Sequence, residues 1–405
     1  MSRADGSSSS GNSPRVSGRF RQRLNRFVVE LALDDTGEIT TASLPNPGRL
    51  AEILLPDVRL GLKPGPEGGR HPWRVVSADL PFSPGESVYL DTGGTNRVAR
   101  DLLEDTRIPE LADYRVVRAE VRLPGTRSRT DFLLESERDG HRRYLEVKSC
   151  TLFNGPFAMF PDAVTDRGRR HVEELSRNGS GAILFVVHSD RCEFFVPDYH
   201  TDPAFSNSLE KAANTMPLVP VGVRLKYDGS VGEVRPKIPI PWETVRPHMR
   251  DGGYYIVILH FAGKDDRNEP ENPANRVVPV GALGNVEFTP GWYVYVGSAL
   301  RGLDARIRRH RRKRRKRKHW HIDYLREVCR WEEAFPIRSA TPGREEPIAR
   351  DLARIAGHSI PGFGSSDSDA ESHLFFFDHD PRRSLPFIEL ILRERRRDLE
   401  EALLY

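Results

Sequence analysis

Apolar and polar positions change rhythm several times along the chain. From residue 20 to about 95, short Val/Leu/Ile runs at 26–33, 57–62, 73–76 and 87–90 are separated by Pro, Gly and Asp. That spacing predicts a small antiparallel barrel or sandwich. Between 96 and 110 the apolar spacing turns helical, and two or three strands are predicted from Tyr114 to Lys148. A helix fits 163–177, where Val164, His171, Val172 and Leu175 recur near the helical period, followed by the apolar strand 182–187. Strand, helix, strand implies a mixed α/β domain.

The proline-punctuated run VRPKIPIPW (234–242) predicts an extended linker. A second α/β unit opens at Gly253, with strands at 254–260 and 292–296 and helices from about Leu303, Ile322 and Pro347. The expected organisation is therefore α+β and multidomain. It comprises a disordered tail (1–18), a barrel (19–95), an α/β domain (96–236), a linker (237–252), a second α/β domain (253–380) and a C-terminal amphipathic helix (381–405).

Composition refines this only in places. At 405 residues and 38% hydrophobic, the chain has material for more than one core. No apolar run reaches the roughly 18 residues that span a bilayer, and no secretory signal is evident, so a cytoplasmic protein with no membrane partner is expected. Cys150, Cys192 and Cys329 are far apart and lack a CxxC pair, which argues against a disulfide framework or zinc cluster. The 62 basic residues nearly balance 58 acidic ones, but charge is concentrated in RRHRRKRRKRK at 308–318. That run points to a polyanion, DNA or alternatively RNA, with Arg308, Arg309, Arg311, Arg312, Lys313, Arg314 and Arg315 as candidate phosphate contacts. The plainer reading is a solvated surface.

Asp139-Gly140 reads as a hairpin turn between strand-like segments 131–136 and 142–147. A two-residue turn sets Asp131 opposite Lys148 and Leu133 opposite Glu146. Side chains alternate, so Asp131, Glu146 and Lys148 share one face and Val147 takes the other. Two carboxylates beside an ammonium suit a Mg2+ or Mn2+ site for phosphodiester hydrolysis, with Asp131 and Glu146 as metal acids. An ordinary solvated hairpin with a Lys/Asp pair is the alternative.

The strings NPGRL (46–50), RTDFLL (129–134), LEVKSCTL (145–152), AMFPDA (158–163) and RGRRH (167–171) resemble the sugar fermentation stimulation protein A family over about 20–236. The resemblance implies an OB-like β-barrel followed by a PD-(D/E)xK nuclease-like domain, DNA binding, and Asp131, Glu146 and Lys148 as site residues. Glu120 and Asp162 are further candidate acids, although Asp162 also suits a helix cap.

In the second unit, Arg306 and His310 are four apart and share a helix face. Tyr255 and Tyr295 sit in strands, where half-buried packing is the plain alternative to positioning a nucleophile. The strings PGWYVYVGSA (290–299) and KHWHIDYL (318–325), with Gly302, Leu303, Arg306, Ile307 and His310, resemble a GIY-YIG nuclease-like domain of a family formerly of unknown function, from about 253 to 378. The resemblance implies catalytic roles for Tyr255, Tyr295, Arg306 and His310 and a metal-holding Glu346, with Glu345 as fallback. Cysteines expected in that family near SDSDAESHL (366–374) are missing. His319 and His321, two apart, suit a strand and are a minor metal candidate.

The expectation is a metal-dependent nuclease with two modules. The rival is a non-catalytic DNA-binding, regulatory protein on degenerate nuclease folds. Carbohydrate binding by the barrel is a third, weaker reading.

Overall fold

The structure is a computed structural model and describes residues 16–263, 274–313, 317–365 and 369–405. Arg314 and Arg315 of the basic run, residues 1–15 of the expected tail and residues 366–368 lie outside the described residues. The chain divides into two compact units, Met1–Asp198 with Ala204–Pro241, and Tyr199–Pro203 with Trp242–Tyr405.

The first unit opens with strands β1 (Val16–Asn25), β2 (Val28–Leu33), β3 (Ile39–Ser43), β4 (Arg59–Pro64), β5 (Trp73–Asp79) and β6 (Ser87–Tyr89). β1 pairs with both β2 and β4, β4 with β5, and β3 returns to β5 in parallel, closing a five-stranded barrel without a free edge. Gly18 allows the double pairing of β1, because a Cβ there would lie 2.6 Å from Leu31 Cδ1 and 2.7 Å from the Ala32 carbonyl oxygen. Val16–Gly18, expected in the tail, belong instead to this strand, since their backbone completes the ladder with β4.

Helix α1 (Thr95–Glu104) leads to β7 (Tyr114–Arg122), β8 (Arg129–Ser136) and β9 (Arg142–Cys150). The rest of the unit contains β10 (Leu152–Asn154), β11 (Phe157–Phe160), α2 (Asp166–Asn178), β12 (Gly181–Val187), β13 (Phe194–Pro197), α3 (Pro203–Ala212), β14 (Leu218–Leu225) and β15 (Val231–Arg235). The six-stranded sheet runs β15-β14-β12-β9-β8-β7, with β12 parallel to β9 and β14. Every residue of β12 is buried, as expected of a parallel strand covered on both faces. Phe132, Leu134, Leu145, Val147 and Leu184 pack with Val98 and Leu102 of α1 on one side.

α2 begins at Asp166 and not at residue 163, because the Thr165 side chain accepts the Gly168 N–H and sets the start. Asp162 is therefore not the cap. The segment expected as linker is partly packed: Ile238 is buried and donates its N–H to the Pro220 carbonyl, Phe195 donates to the Pro239 carbonyl, and Trp242–Val245 forms a short helix, α4. Proline removes donors there, but the carbonyls still accept.

The second unit is built on β16 (Gly253–Phe261), which pairs antiparallel with β19 (Gly291–Ala299) and β20 (Arg330–Arg338). Between them lies the hairpin β17 (Arg276–Pro279) and β18 (Asn285–Phe288), and β21 (His358–Ser359) and β22 (Leu374–Phe377) extend the sheet beyond β19. Helices α5 (Leu303–Arg311), α6 (His321–Val328), α7 (Glu345–Ile355) and α8 (Leu385–Leu403) complete it. His321 starts α6, so the pair His319 and His321 does not lie in a strand; His321 Nδ1 accepts the Gly364 N–H. No helix among the described residues is long and apolar enough to cross a membrane.

In the first unit Glu52 is buried, its Oε1 has no hydrogen-bond partner among the described residues, and burial, reinforced by Asp162 and Asp198, pushes its pKa up to about 7. The folded value lies above the ordinary 4.5, so Glu52 favours folding most at low pH and that contribution disappears as pH rises through about 7. The loss is about 3 kcal/mol. Glu52→Gln is expected to flatten this pH dependence, measured by urea unfolding at pH 5 and pH 8; a variant whose stability tracks wild type at both would remove Glu52 as its source.

Candidate functional site

The hairpin β8–β9 pairs Phe132 with Leu145 and Leu133 with Tyr144, two residues away from the register expected for a two-residue turn. The loop is longer: Ser136 N–H bonds the His141 carbonyl, and Gly140 takes φ 71° inside it. An even shift leaves every side chain on its original face. Glu146 and Lys148 still alternate with core residues Leu145 and Val147, and Asp131 comes opposite Glu146 where Lys148 was expected.

Asp131 ends the ladder with its side chain. Its Oδ2 accepts the Val147 N–H at 2.7 Å and its Oδ1 accepts from Asn96 Nδ2, on the first turn of α1, at 2.8 Å. Burial, then the charge of Glu146, hold its carboxyl above the usual range. Burial also opposes the charge on Glu146, but a hydrogen bond from His171 and the nearby Lys148 outweigh it and hold that carboxyl low. Lys148 Nζ and His171 Nδ1 both reach Glu146 Oε1, at 2.6 and 3.0 Å. Sequence reasoning gave no role to Asn96 or His171; RGRRH at 167–171 was the available signal, but only packing of α2 on the sheet aims His171 at Glu146.

The two additional acids lie differently. Glu120 sits between the rungs Ala119↔Phe132 and Val121↔Thr130, opposite Asp131, exposed and in left-handed backbone at φ 54°. Asp162 Oδ2 accepts the Arg49 N–H at 2.8 Å, and a Cβ on Gly48 would come within 2.4 Å of that oxygen, so Asp162 holds the NPGRL loop.

In the second unit a cleft of about 430 Å³ is lined by Tyr255, Tyr295, Arg306, Trp320, His373 and both Glu345 and Glu346. It thus gathers Tyr255, Tyr295, Arg306 and both candidate acids, and His310 lies behind it, fully buried. Tyr255 Oη and His310 Nε2 are 3.0 Å apart. Burial pushes both phenols up, and Glu345 adds to this at both. Of the two glutamates, Glu345 is the one whose charge these tyrosines feel; its Oε1 lies 3.2 Å from His373 Nδ1, whereas Glu346 Oε1 accepts the Asp369 N–H at 3.1 Å.

Arg309, expected among the phosphate contacts, is engaged internally: its Nη1 donates to both oxygens of Asp323 at 3.1 and 3.2 Å, and its guanidinium lies 4.1 Å from the Trp320 ring centre. Buried Asp323 outcompetes solvent for that cation. Arg308, Arg311, Arg312 and Lys313 remain exposed. Among the described residues no group of three or more His, Cys, Asp or Glu is arranged to hold a metal.

Three family models match the chain: the SfsA N-terminal OB domain over residues 22–90, the sugar fermentation stimulation protein RE domain over 93–228, and the domain of unknown function DUF123 over 271–393. The sugar fermentation stimulation protein homolog of Methanothermobacter thermautotrophicus is 38% identical over 199 residues, covering 48% of this chain and 80% of the relative. The chain belongs to the sugar fermentation stimulation protein family. The homolog from Gloeobacter violaceus is 36% identical over 203 residues, covering 48% of this chain and 83% of its own. Among solved structures, a Pyrococcus furiosus SfsA in complex with Ca2+ is similar with a TM-score of 0.50 and 27% identity, covering 57% of this chain and 97% of that one. The barrel and α/β domain are thus the SfsA part of the chain, and the lining of the second cleft falls within the DUF123 match except for Tyr254 and Tyr255 on β16.

The raised carboxyl of Asp131 makes a stability prediction. Its contribution to folding is present below the ordinary aspartate range and lost as pH rises through its elevated value. Asp131→Asn is therefore expected to stabilise the protein at pH 7 relative to wild type, with the gain vanishing towards pH 3. Denaturant unfolding across that range checks it; equal stabilisation at both ends would show that charge repulsion is not the cause.

Proposed function

We propose that this chain is a divalent-metal-dependent nuclease acting on DNA, with PD-(D/E)xK-type chemistry in the first unit and GIY-YIG-type chemistry in the second. The observation that carries this reading is the meeting of Asp131 and Glu146, two carboxylates taken out of water, with Lys148 beside them. Burial and the charge of Glu146 raise the Asp131 carboxyl, and a cation of the Mg2+ or Mn2+ class fits the oxygen donor set. The Ca2+ complex of the Pyrococcus furiosus relative supports a divalent-cation site in this fold.

Asp131 and Glu146 would hold the ion, which supplies charge neutralisation at the scissile phosphate and acidifies a bound water. Asn96 and the Val147 N–H orient Asp131, and His171 orients Glu146. Lys148 offers an ammonium to the phosphate or to the attacking water. In the second cleft Arg306 would hold the phosphate through its planar fork, and Tyr255 would position water with His310 receiving its proton. Glu345 supports the metal role better than Glu346, because it faces the tyrosines. Exposed Arg308, Arg311, Arg312 and Lys313 supply non-specific, salt-sensitive contacts to the strand.

A specific observation favours a second reading, a DNA-binding protein without catalysis. Lys148 and His171 both reach Glu146 Oε1, so the protein's own side chains supply partners to that oxygen.

Cleavage of labelled DNA and RNA with Mg2+, Mn2+ or chelator separates the two. Wild type is expected to cut DNA only with metal, Asp131→Ala and Arg306→Ala each to remove the activity of their own unit by about 100-fold or more, and the double variant to be inert. Salt-sensitive binding without cleavage by wild type would establish the binding protein instead, and cleavage confined to RNA would overturn the substrate. Mn2+ is also expected to raise the melting temperature of wild type more than that of Asp131→Ala.

A further inference from the structure

Behind the second cleft lie two groups that the chemistry above leaves without a role, Asp323 and the ring of Trp320. Asp323 is buried at the first turn of α6. Its carboxylate receives Arg309 at 3.1 and 3.2 Å and the backbone N–H groups of His319 and Trp320 at 3.0 and 3.2 Å, while its Oδ1 lies 3.6 Å from His310 Nδ1. The Trp320 ring takes Arg306 at 4.3 Å and Arg309 at 4.1 Å. One helix turn thus touches all three α5 side chains that matter to the cleft: Arg306, Arg309 and His310.

We infer that Asp323 is a positioning residue of this cleft, which keeps the His310 proton on Nδ1 so that Nε2 is left to accept from the Tyr255 hydroxyl. The inference rests on reading the cleft as a phosphodiester-hydrolysing site. At 3.6 Å the contact is longer than a hydrogen bond, but the carboxylate's charge favours hydrogen on the ring nitrogen that faces it. Nε2 then carries a lone pair, and Tyr255 donates to it across 3.0 Å.

This arrangement removes a difficulty. Tyr255 is buried and reluctant to ionise, so it is a poor base by itself. With His310 behind it, Tyr255 Oη takes a proton from water while its own phenolic proton passes to Nε2, and the phenol stays neutral throughout. The imidazolium that results faces Asp323 and is stabilised there. Arg309 balances Asp323 in the resting state, and Trp320 keeps Arg306 on the cleft side of the same turn.

Ring-nitrogen NMR of the full chain labelled with 15N-histidine tests this, with His310 assigned by His310→Gln. Wild type is expected to show Nδ1 protonated and Nε2 bare, and Asp323→Asn to move His310 toward the Nε2-protonated form. In cleavage assays on the Asp131→Ala background, where only the second unit cuts, Asp323→Asn is expected to lower kcat roughly 100-fold or more with KM little changed. A wild-type spectrum with the proton on Nε2 overturns the inference without recourse to any variant, as does an Asp323→Asn spectrum identical to wild type. If the nitrogen shifts behave as expected but wild type cuts no nucleic acid, the Asp323–His310 pairing stands and the hydrolytic reading falls.

Discussion

The parallel pairing of β9 with β12 sets Glu146 beside Ile183, Val147 beside Leu184 and Lys148 beside Phe185. β9 is an interior strand of its sheet, and Leu145, Glu146 and Val147 in its middle are all buried, so its alternation does not send Glu146 to water. Leu145 and Val147 join the apolar core, and Glu146 and Lys148 are left in a half-buried interior where each needs a partner. The rest of the first candidate site answers that constraint. β8 ends its ladder so that Asp131 caps the Val147 N–H, α1 supplies Asn96, and α2 supplies His171.

The second unit meets a comparable constraint on a helix. His310 and Asp323 are both buried, and neither is tolerable there alone. Arg309 and the N–H groups of His319 and Trp320 engage Asp323, and the Tyr255 hydroxyl lies 3.0 Å from His310 Nε2, so the polar core of the unit and the wall of its cleft are the same set of side chains. In both units the groups that suit phosphate chemistry are those whose burial demands an organised electrostatic environment, which is the usual association between perturbed titration and function.

Sequence periodicity carried far where it dealt in faces and poorly where it dealt in ends. The hairpin register was misjudged by two residues because Asp139-Gly140 closes a longer loop, yet the facial assignment of Asp131, Glu146 and Lys148 survives, since an even slip preserves it. The start of α2 was misplaced because Thr165, not Asp162, supplies the cap; Asp162 is drawn instead to the Arg49 N–H, more than a hundred residues earlier in the chain. Arg309 looked like its neighbours in the basic run, and nothing local distinguishes a guanidinium that will find a buried Asp323.

The sequence by itself determined the order of strands and helices, the faces on which the first three site residues project, and the family strings that surround them, because these follow from spacing along the backbone. Tertiary structure decided which nitrogen or oxygen each of those groups meets. It brought Asn96 and His171 to the first site, set the charge of Glu345 rather than Glu346 against the tyrosines, and took Arg309 out of the exposed part of the basic run. The physical reason is that these contacts join residues remote in sequence, and are selected by the cost of burying charge without a partner, a quantity that exists only once the elements have packed.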